Sequence, residues 1–305
     1  MNRMTLLALG WLPWLPATPR QVTRIAVIVS QEGPAYRAAL AGLRQPLERR
    51  PGIELSVTEL NGRADRAEAA FKSVRESGPT LVVTLGSLAT RESVRRLPGV
   101  PLVAGMILTA EELSGVGNAT GVFLQFPVAV ELEWLSRMLP NDRRIGVLYH
   151  SDDNHQRVAE ARRLAPGLNL VLQAVRIDEP GRIPDALDNL ARRSDVLWGM
   201  VDPMVFNPET AQTLLLFSLK SQLPLVGPSP PWVRAGALFA LDRDYVDVGL
   251  QCAELAGQVL DGAPAGSVGP VPPRRVRLSL NKGTADRLKI ELPAKTVRDA
   301  AEVFP

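Results

Sequence analysis

Short runs of aliphatic and β-branched residues alternate along the chain with longer segments whose apolar positions recur at helical spacing. The first run, Arg24 to Val29, leads into Ala35 to Arg49, where Ala39, Leu40, Leu43 and Leu47 fall on one side of a helix. Pro34 marks its start and Pro51-Gly52 its end. Further runs at 53–59, 80–85 and 100–105 are each followed by a helical pattern. Apolar strands alternating with crossover helices predict a parallel sheet covered on both faces.

The pattern then repeats. Arg144 to His150 echoes Arg24 to Ser30, and both continue into helical segments, through Leu164 and Leu43. The run at 168–172 answers 53–57, Gly181-Arg182 answers Gly62-Arg63, Val196 to Asp202 answers Leu81 to Ser87, and Pro224-Leu225-Val226 answers Pro101-Leu102-Val103. Four matched strands in one order predict two Rossmann-like α/β lobes facing each other across a cleft. The second lobe is expected to hold a helix near Val128 to Met138 and strands at 144–149, 168–175, 195–201, 223–227 and 237–241. Gly115 to Gly121 reads as a hinge or crossover, because it leads into a strand-like run and does not open a helix after one. A helix at Asp244 to Leu260 and a strand at Arg275 to Leu280 are left over after two equal lobes. They are expected to cross back, giving a multi-strand hinge. The predicted division is 22–119 with 242–268 as the N-terminal lobe, 120–241 with 269–293 as the C-terminal lobe, and 294–305 as a tail.

A length of 305 residues fits this picture, since single cores stop growing near ~250 to 300 residues. The composition, 46% hydrophobic and 22% charged, is that of a soluble globular protein. The net charge of +3 comes with Arg pairs scattered over separate helices, without the continuous basic stripe that a nucleic acid requires. Cys252 is the single cysteine, on the apolar face of a helix with Val248, Leu255 and Val259, so no internal disulfide forms and the thiol reads as buried filler. Residues 1–20 differ from the rest. Arg3 precedes an apolar run from Met4 to Leu15, too short to span a bilayer, followed by Pro16-Ala17-Thr18-Pro19, the form of a signal peptide and hence of export to the periplasm.

In parallel α/β sheets, ligands bind beyond the carboxyl ends of the strands. The polar residues there are Gln31, Ser87 and Thr109 in the first lobe and Asn154, Asp202, Ser229 and Trp232 in the second. Helix starts after Ser87 and near Asn154 would suit a ligand carboxylate. Each candidate has a plainer role as well: Asp152, Asp153 and Asn154 are capping types, Asp244 with Asp247 reads as a cap more readily than as a metal site, and Trp198 lies within a strand. Catalysis is poorly supplied. His150 and His155 lack the spacing of paired helical zinc ligands, Gly86-Ser87 lacks the surrounding Gly-x-Ser-x-Gly, and no phosphate-cradling Gly-rich Lys-Ser/Thr loop occurs. No enzyme, metal or cofactor is expected.

The chain resembles the type I periplasmic binding proteins, and most closely the ABC transporter substrate-binding family that includes binders of tryptophan and other aromatic amino acids. The resemblance covers about residues 22–293. Ala119-Thr120-Gly121-Val122, Leu139-Pro140-Asn141 before Ile145 to Tyr149, Pro224 to Gly227, Arg234 to Leu238 with Asp244-Tyr245 and Val248-Gly249, and Leu280-Asn281-Lys282 with Thr284-Ala285 and Leu288 carry it. It implies a monomer that closes on a small organic molecule and delivers it to the membrane permease of an ABC importer. The alternative is an accessory sensor using the same scaffold for a protein partner. Asn154 and Asp202 match positions of the family pattern. Ile107-Leu108-Thr109 and Gly227-Pro228-Ser229-Pro230-Pro231 replace its Thr-Asp-Pro and Gly-Ser-Asp, so two carboxylates suited to a ligand ammonium are missing and a less cationic ligand is expected.

Overall fold

In the computed structural model, which describes residues 22–63, 67–139, 141 and 143–305, the repeat takes the form of two sheets with one strand order. The signal-like segment 1–20 lies outside the described residues. The first sheet is built from β1 (Thr23–Val29), α1 (Pro34–Glu48), β2 (Ile53–Glu59), α2 (Ala67–Ser77), β3 (Leu81–Leu85), α3 (Ser87–Arg96), β4 (Leu102–Ile107) and β5 (Ala119–Phe123). Its order is β2-β1-β3-β4-β5, parallel throughout.

The second half follows with α4 (Val128–Met138), β6 (Arg144–Tyr149), α5 (Asp152–Leu164), β7 (Val171–Arg176), α6 (Ile183–Ala191), β8 (Val196–Trp198), α7 (Ala211–Lys220), β9 (Leu225–Val226), α8 (Pro230–Arg234) and β10 (Phe239–Arg243). The chain ends with α9 (Tyr245–Leu260), β11 (Val276–Asn281), α10 (Lys282–Leu288), α11 (Ala294–Asp299) and β12 (Glu302–Phe304). The second sheet has the order β12-β11-β10-β9-β8-β6-β7. Its segment β7-β6-β8-β9-β10 retraces the order of the first sheet, and only β11 against β10 runs antiparallel.

Both sheets are buried on two faces. Val27, Val83 and Val103 pack under α1 and α9, while Ala26, Ile28 and Val82 pack with Phe71 on the opposite face. In the second sheet, Val147 and Trp198 belong to one core and Leu148 and Leu197 to the other. The alternation follows from the two-residue period of a strand. Helix α9 follows the second sheet in sequence yet lies against α1 of the first. A Cβ on Gly42 would stand 2.0 Å from the Val246 carbonyl oxygen, and one on Gly249 2.0 Å from that of Ala39. Only glycine permits this approach. Cys252, on the same helix, is fully buried, and burial pushes its thiol up to about 12.

Four details depart from the pattern reading. The strand expected to open the second lobe at 120 is β5, hydrogen-bonded to β4 in the first sheet. A Cβ at Gly121 would lie 2.0 Å from the Ala104 carbonyl oxygen, so a glycine read as part of a hinge serves close strand pairing. The strand at 168–175 begins later, at Val171, because Ala165–Leu168 forms a 3₁₀ turn ended by Asn169 in the left-handed conformation. The strand at 195–201 stops at Trp198. The tail at 294–305 adds α11 and then β12, which pairs in parallel with β11.

Three crossings connect the halves: 124–127, Asp244, and the segment between α9 and β11. They are tied together. Arg243 Nε donates to the Leu124 carbonyl oxygen at 2.6 Å, the Val271 amide donates to Gly121, and Arg274 binds Asp247 and Glu254 of α9.

Candidate functional site

In an order of this kind, the strand connections leave toward opposite faces between β1 and β3 and again between β6 and β8, opening a crevice at their carboxyl ends. Ser30 and Gln31 follow β1 and Ser87 follows β3, whereas Ser151 to Asn154 follow β6 and Asp202 lies beyond β8. The sequence thus places polar residues at both switch points.

Asp202 is 1% exposed, and its carboxylate is occupied by the protein itself. Oδ2 accepts from the His150 amide (2.9 Å), the Ser151 amide (3.1 Å) and Asn154 Nδ2 (2.9 Å); Oδ1 accepts from the amides of Met204 (2.9 Å) and Val205 (3.0 Å). Burial alone would raise its pKa, but these donors outweigh burial and hold it at about 2. Asp202 therefore joins the loop after β6 to the loop after β8. Asn154 is buried with it and also donates to the Val201 carbonyl oxygen at 3.0 Å. The cap of α5 is Ser151, whose hydroxyl accepts from the Asn154 amide.

Beside this junction, a cavity of about 360 Å³ lies between the two sheets. Leu108 and Thr109, beyond β4, form its first-sheet side, and Leu124 and Gln125 come from the crossing segment 124–127. Ser151, Asn154 and Arg157, with Met200, Val201, Pro203 and Pro228, line the second-sheet side. Met106 shapes the first side. It adopts φ 56° at a bulge between Gly105 and Ile107, which redirects the end of β4 before Leu108.

The model of the family described as "ABC transporter substrate binding protein" matches residues 24–304. The chain belongs to this family. Family members bind solutes and are not enzymes. Among curated proteins, this substrate-binding protein is similar to a tyrosine-binding protein of Clostridioides difficile (strain R20291), with 21% identity over 193 residues, 63% of this chain. The match spans only 55% of that relative's length. Among solved structures it is similar to the ligand-free, open form of a Clostridium difficile substrate-binding protein with adhesive properties (17% identity, TM-score 0.77, covering 93% of this chain and 99% of the other). A domain from Streptococcus pneumoniae in complex with L-Trp gives 20% identity and a TM-score of 0.61, covering 93% and 100%. These likenesses establish the two-lobed α/β fold.

Of the seven residues picked from the sequence, Thr109 and Asn154 line the cavity of this binding protein. Gln31 and Ser87 follow β1 and β3 at the first switch point, outside its lining. Gln31 is exposed and hydrogen-bonds Tyr36, whose phenol burial raises, the Gln31 bond offsetting part of the rise. Ser87 is half-buried at the start of α3. The other three differ from expectation. Asp202 turns inward as described, because five N–H groups need an acceptor there. Ser229 precedes α8, and Trp232 packs on Phe206 with ring centroids 5.7 Å apart, in the core on the opposite side of the second sheet. The Pro230-Pro231 helix start carries Trp232 toward Phe206 and leaves Pro228 lining the cavity.

Sequence reading missed Glu131, Arg157 and Arg243. Arg157 Nη2 pairs with Glu131 Oε2, and Nη1 donates to the Phe126 carbonyl oxygen at 3.3 Å. The Arg243 guanidinium lies over the Phe126 ring, 4.6 Å from its centroid. Burial raises the Glu131 carboxyl even though Arg157 and Arg243 act to lower it. One signal was available: Arg157 lies one helical turn after Asn154, on the same face. Both histidines are engaged, His150 Nδ1 with the Ile177 carbonyl oxygen and His155 Nδ1, on α5, with the Tyr149 hydroxyl.

Proposed function

We propose that this chain is the solute-binding component of an ABC importer, exported to the periplasm, which closes its two lobes on a small organic molecule and presents the closed form to a membrane permease. The observation that carries the reading is the cavity of about 360 Å³, whose walls come from strand ends of both sheets and from the crossing segment 124–127. Such a cavity changes shape when the sheets rotate about the three crossings, so a ligand that touches both walls binds the closed state better and shifts the population toward it.

Exposure supports an open resting state. Leu108 on the first wall and Val201 on the second are 64% and 75% exposed, an unfavourable arrangement for apolar side chains unless the walls move together. The named ligands of the relatives, tyrosine and L-Trp, favour a small organic acid over a polymer as the class to test.

The test combines thermal shift over a metabolite library with calorimetry and small-angle scattering on the protein lacking residues 1–20. A ligand at one hundred times its Kd adds about 2.7 kcal/mol of stability, raising Tm by roughly 5 to 10 °C, and should reduce the radius of gyration. If no compound shifts Tm or compacts the protein, the binding reading fails. Recovery of a receptor or kinase in place of a permease by cross-linking in cells would favour the sensor alternative.

A further inference from the structure

We infer that the cavity takes a small organic anion with an apolar body and no ammonium group, a carboxylate being the simplest case, whose charge is received by Arg243. The inference rests on the reading of this cavity as the ligand site and adds the chemistry of what enters it.

Arg243 is half-buried at the end of β10 and is fixed twice: Nε donates to the Leu124 carbonyl oxygen at 2.6 Å, and the guanidinium face rests on Phe126. A guanidinium carries five N–H donors, of which the Nε bond uses one. Neither Nη has an acceptor among the described residues. A planar fork held at one edge and along one face, with its other edge open to a cavity, matches a carboxylate geometrically.

The nearby carboxylates do not take this role. Glu131 is committed to Arg157, and Asp202 accepts from five donors. Asp153 lines the cavity too, but it is exposed, where an ion pair with a ligand ammonium is weak. Glu131 is paired with Arg157 and also feels the charge of Arg243, so one carboxylate faces two guanidinium groups and the cluster keeps a positive excess at Arg243, which makes no direct ion pair among the described residues.

A second observation points the same way. A recess of about 30 Å³ shares Glu131, Gly199, Pro228 and Arg243 with the main cavity and is lined also by Trp198. Trp198 is 2% exposed, and its indole N–H has no acceptor among the described residues. The fully enclosed side-chain polar atoms without a partner among the described residues are the Ser93 and Ser194 hydroxyls, so the Trp198 nitrogen keeps access to water or a ligand oxygen. The recess presents the open edge of Arg243 beside the pair of Glu131 and Arg157, an arrangement that suits an oxyanion. The lining also includes the uncharged polar residues Thr109, Gln125, Ser151 and Asn154, but Leu108, Leu124, Met200, Val201, Pro203 and Pro228 give it an apolar share that suits an apolar ligand body.

The experiment is calorimetry on the protein with matched probes: hexanoate, octanoate and 3-phenylpropanoate, their primary amides, the corresponding amines, and L-phenylalanine as the α-amino counterpart. At least one carboxylate should bind, with its amide weaker by about tenfold or more and its amine inactive. L-Phenylalanine should bind no tighter than 3-phenylpropanoate. Arg243→Gln should weaken the carboxylate by about tenfold or more, and Arg243→Lys should recover part of the loss. Equal affinity for acid and amide, preference for L-phenylalanine, or an unchanged Kd in Arg243→Gln would overturn the inference. The acid-against-amide comparison needs only the wild-type chain, so it decides the matter even if the variant does not fold. A neutral polyol or a cation that compacts the protein in scattering would overturn the charge assignment and leave the binding-protein reading standing. Absence of binding by every probe together with unchanged scattering across the library would remove both.

Discussion

Asp202 and Glu131 are both acidic side chains on the cleft edge of the second sheet, and their surroundings treat them in opposite ways. Asp202 is enclosed by N–H groups of two loops and of Asn154, so burial comes with full compensation and its carboxylate is held at about 2. Glu131 faces a single ion pair with Arg157 and the neighbouring charge of Arg243, and burial wins, raising its carboxyl. The contrast separates structure from recognition. A charge whose partners are all supplied by the fold shapes a site without being available to a ligand, whereas an incompletely paired cluster keeps capacity for one.

The strongest way to break this comparison is Asp202→Ala. It leaves five donors without their acceptor and should cost about 3 to 5 kcal/mol in urea unfolding, with ligand binding lost because the loops after β6 and β8 come apart. A loss under about 1 kcal/mol would mean that the five bonds do not hold the loops. Trp232→Ala sharpens the contrast between core and cavity: it should cost about 2 to 3 kcal/mol through lost packing on Phe206 and leave ligand affinity unchanged.

The pH dependence separates the two carboxylates directly. Asp202 has a depressed pKa, so its contribution is present above its unfolded value near 3.8 and is lost as pH falls through about 2, amounting to about 2 kcal/mol. Asp202→Asn should flatten stability in that window. Glu131 is raised, so its contribution is present below the unfolded value and is lost as pH rises through the folded one. Glu131→Gln should remove that loss on the high-pH side and leave the acid limb intact. Denaturant midpoints from pH 2 to 8 read both, and identical curves for the two variants would erase the distinction. The smallest effects belong to hydroxyls. Ser151→Ala should cost about 1 kcal/mol by uncapping α5, whereas Ser87→Ala, with no side-chain hydrogen bond among the described residues, should stay within about 0.5 kcal/mol in thermal melts.

Much of the architecture was legible because it is written locally. The echo between Arg24 to Ser30 and Arg144 to His150 appears as β1 and β6, which hold the same place in the two strand orders. The helix expected at Val128 to Met138 is α4, and the cap expected at Asp244 forms, its side chain accepting from the Asp247 amide at 3.2 Å. Strand β12 was not legible, and the strand-like run at β5 was assigned to the wrong lobe, since the partner of each is fixed by a distant neighbour, β11 and β4 respectively. The site was read less well. Thr109 and Asn154 line the cavity, but Arg243 stands between Asp242 and Asp244, where the acids draw the attention. What gives Arg243 its role, the Leu124 carbonyl oxygen and the Phe126 ring, lies 119 and 117 positions away.

The order of apolar runs and helical segments determined two α/β sheets of one topology, because strand and helix periodicity depend on neighbours a few residues apart. Tertiary structure alone decided which polar strand ends open to the cleft and which are consumed inside the protein. Asp202 and Arg243 both look like exposed tips in the sequence, and only the approach of distant segments supplies donors to the first and leaves the second without an acceptor.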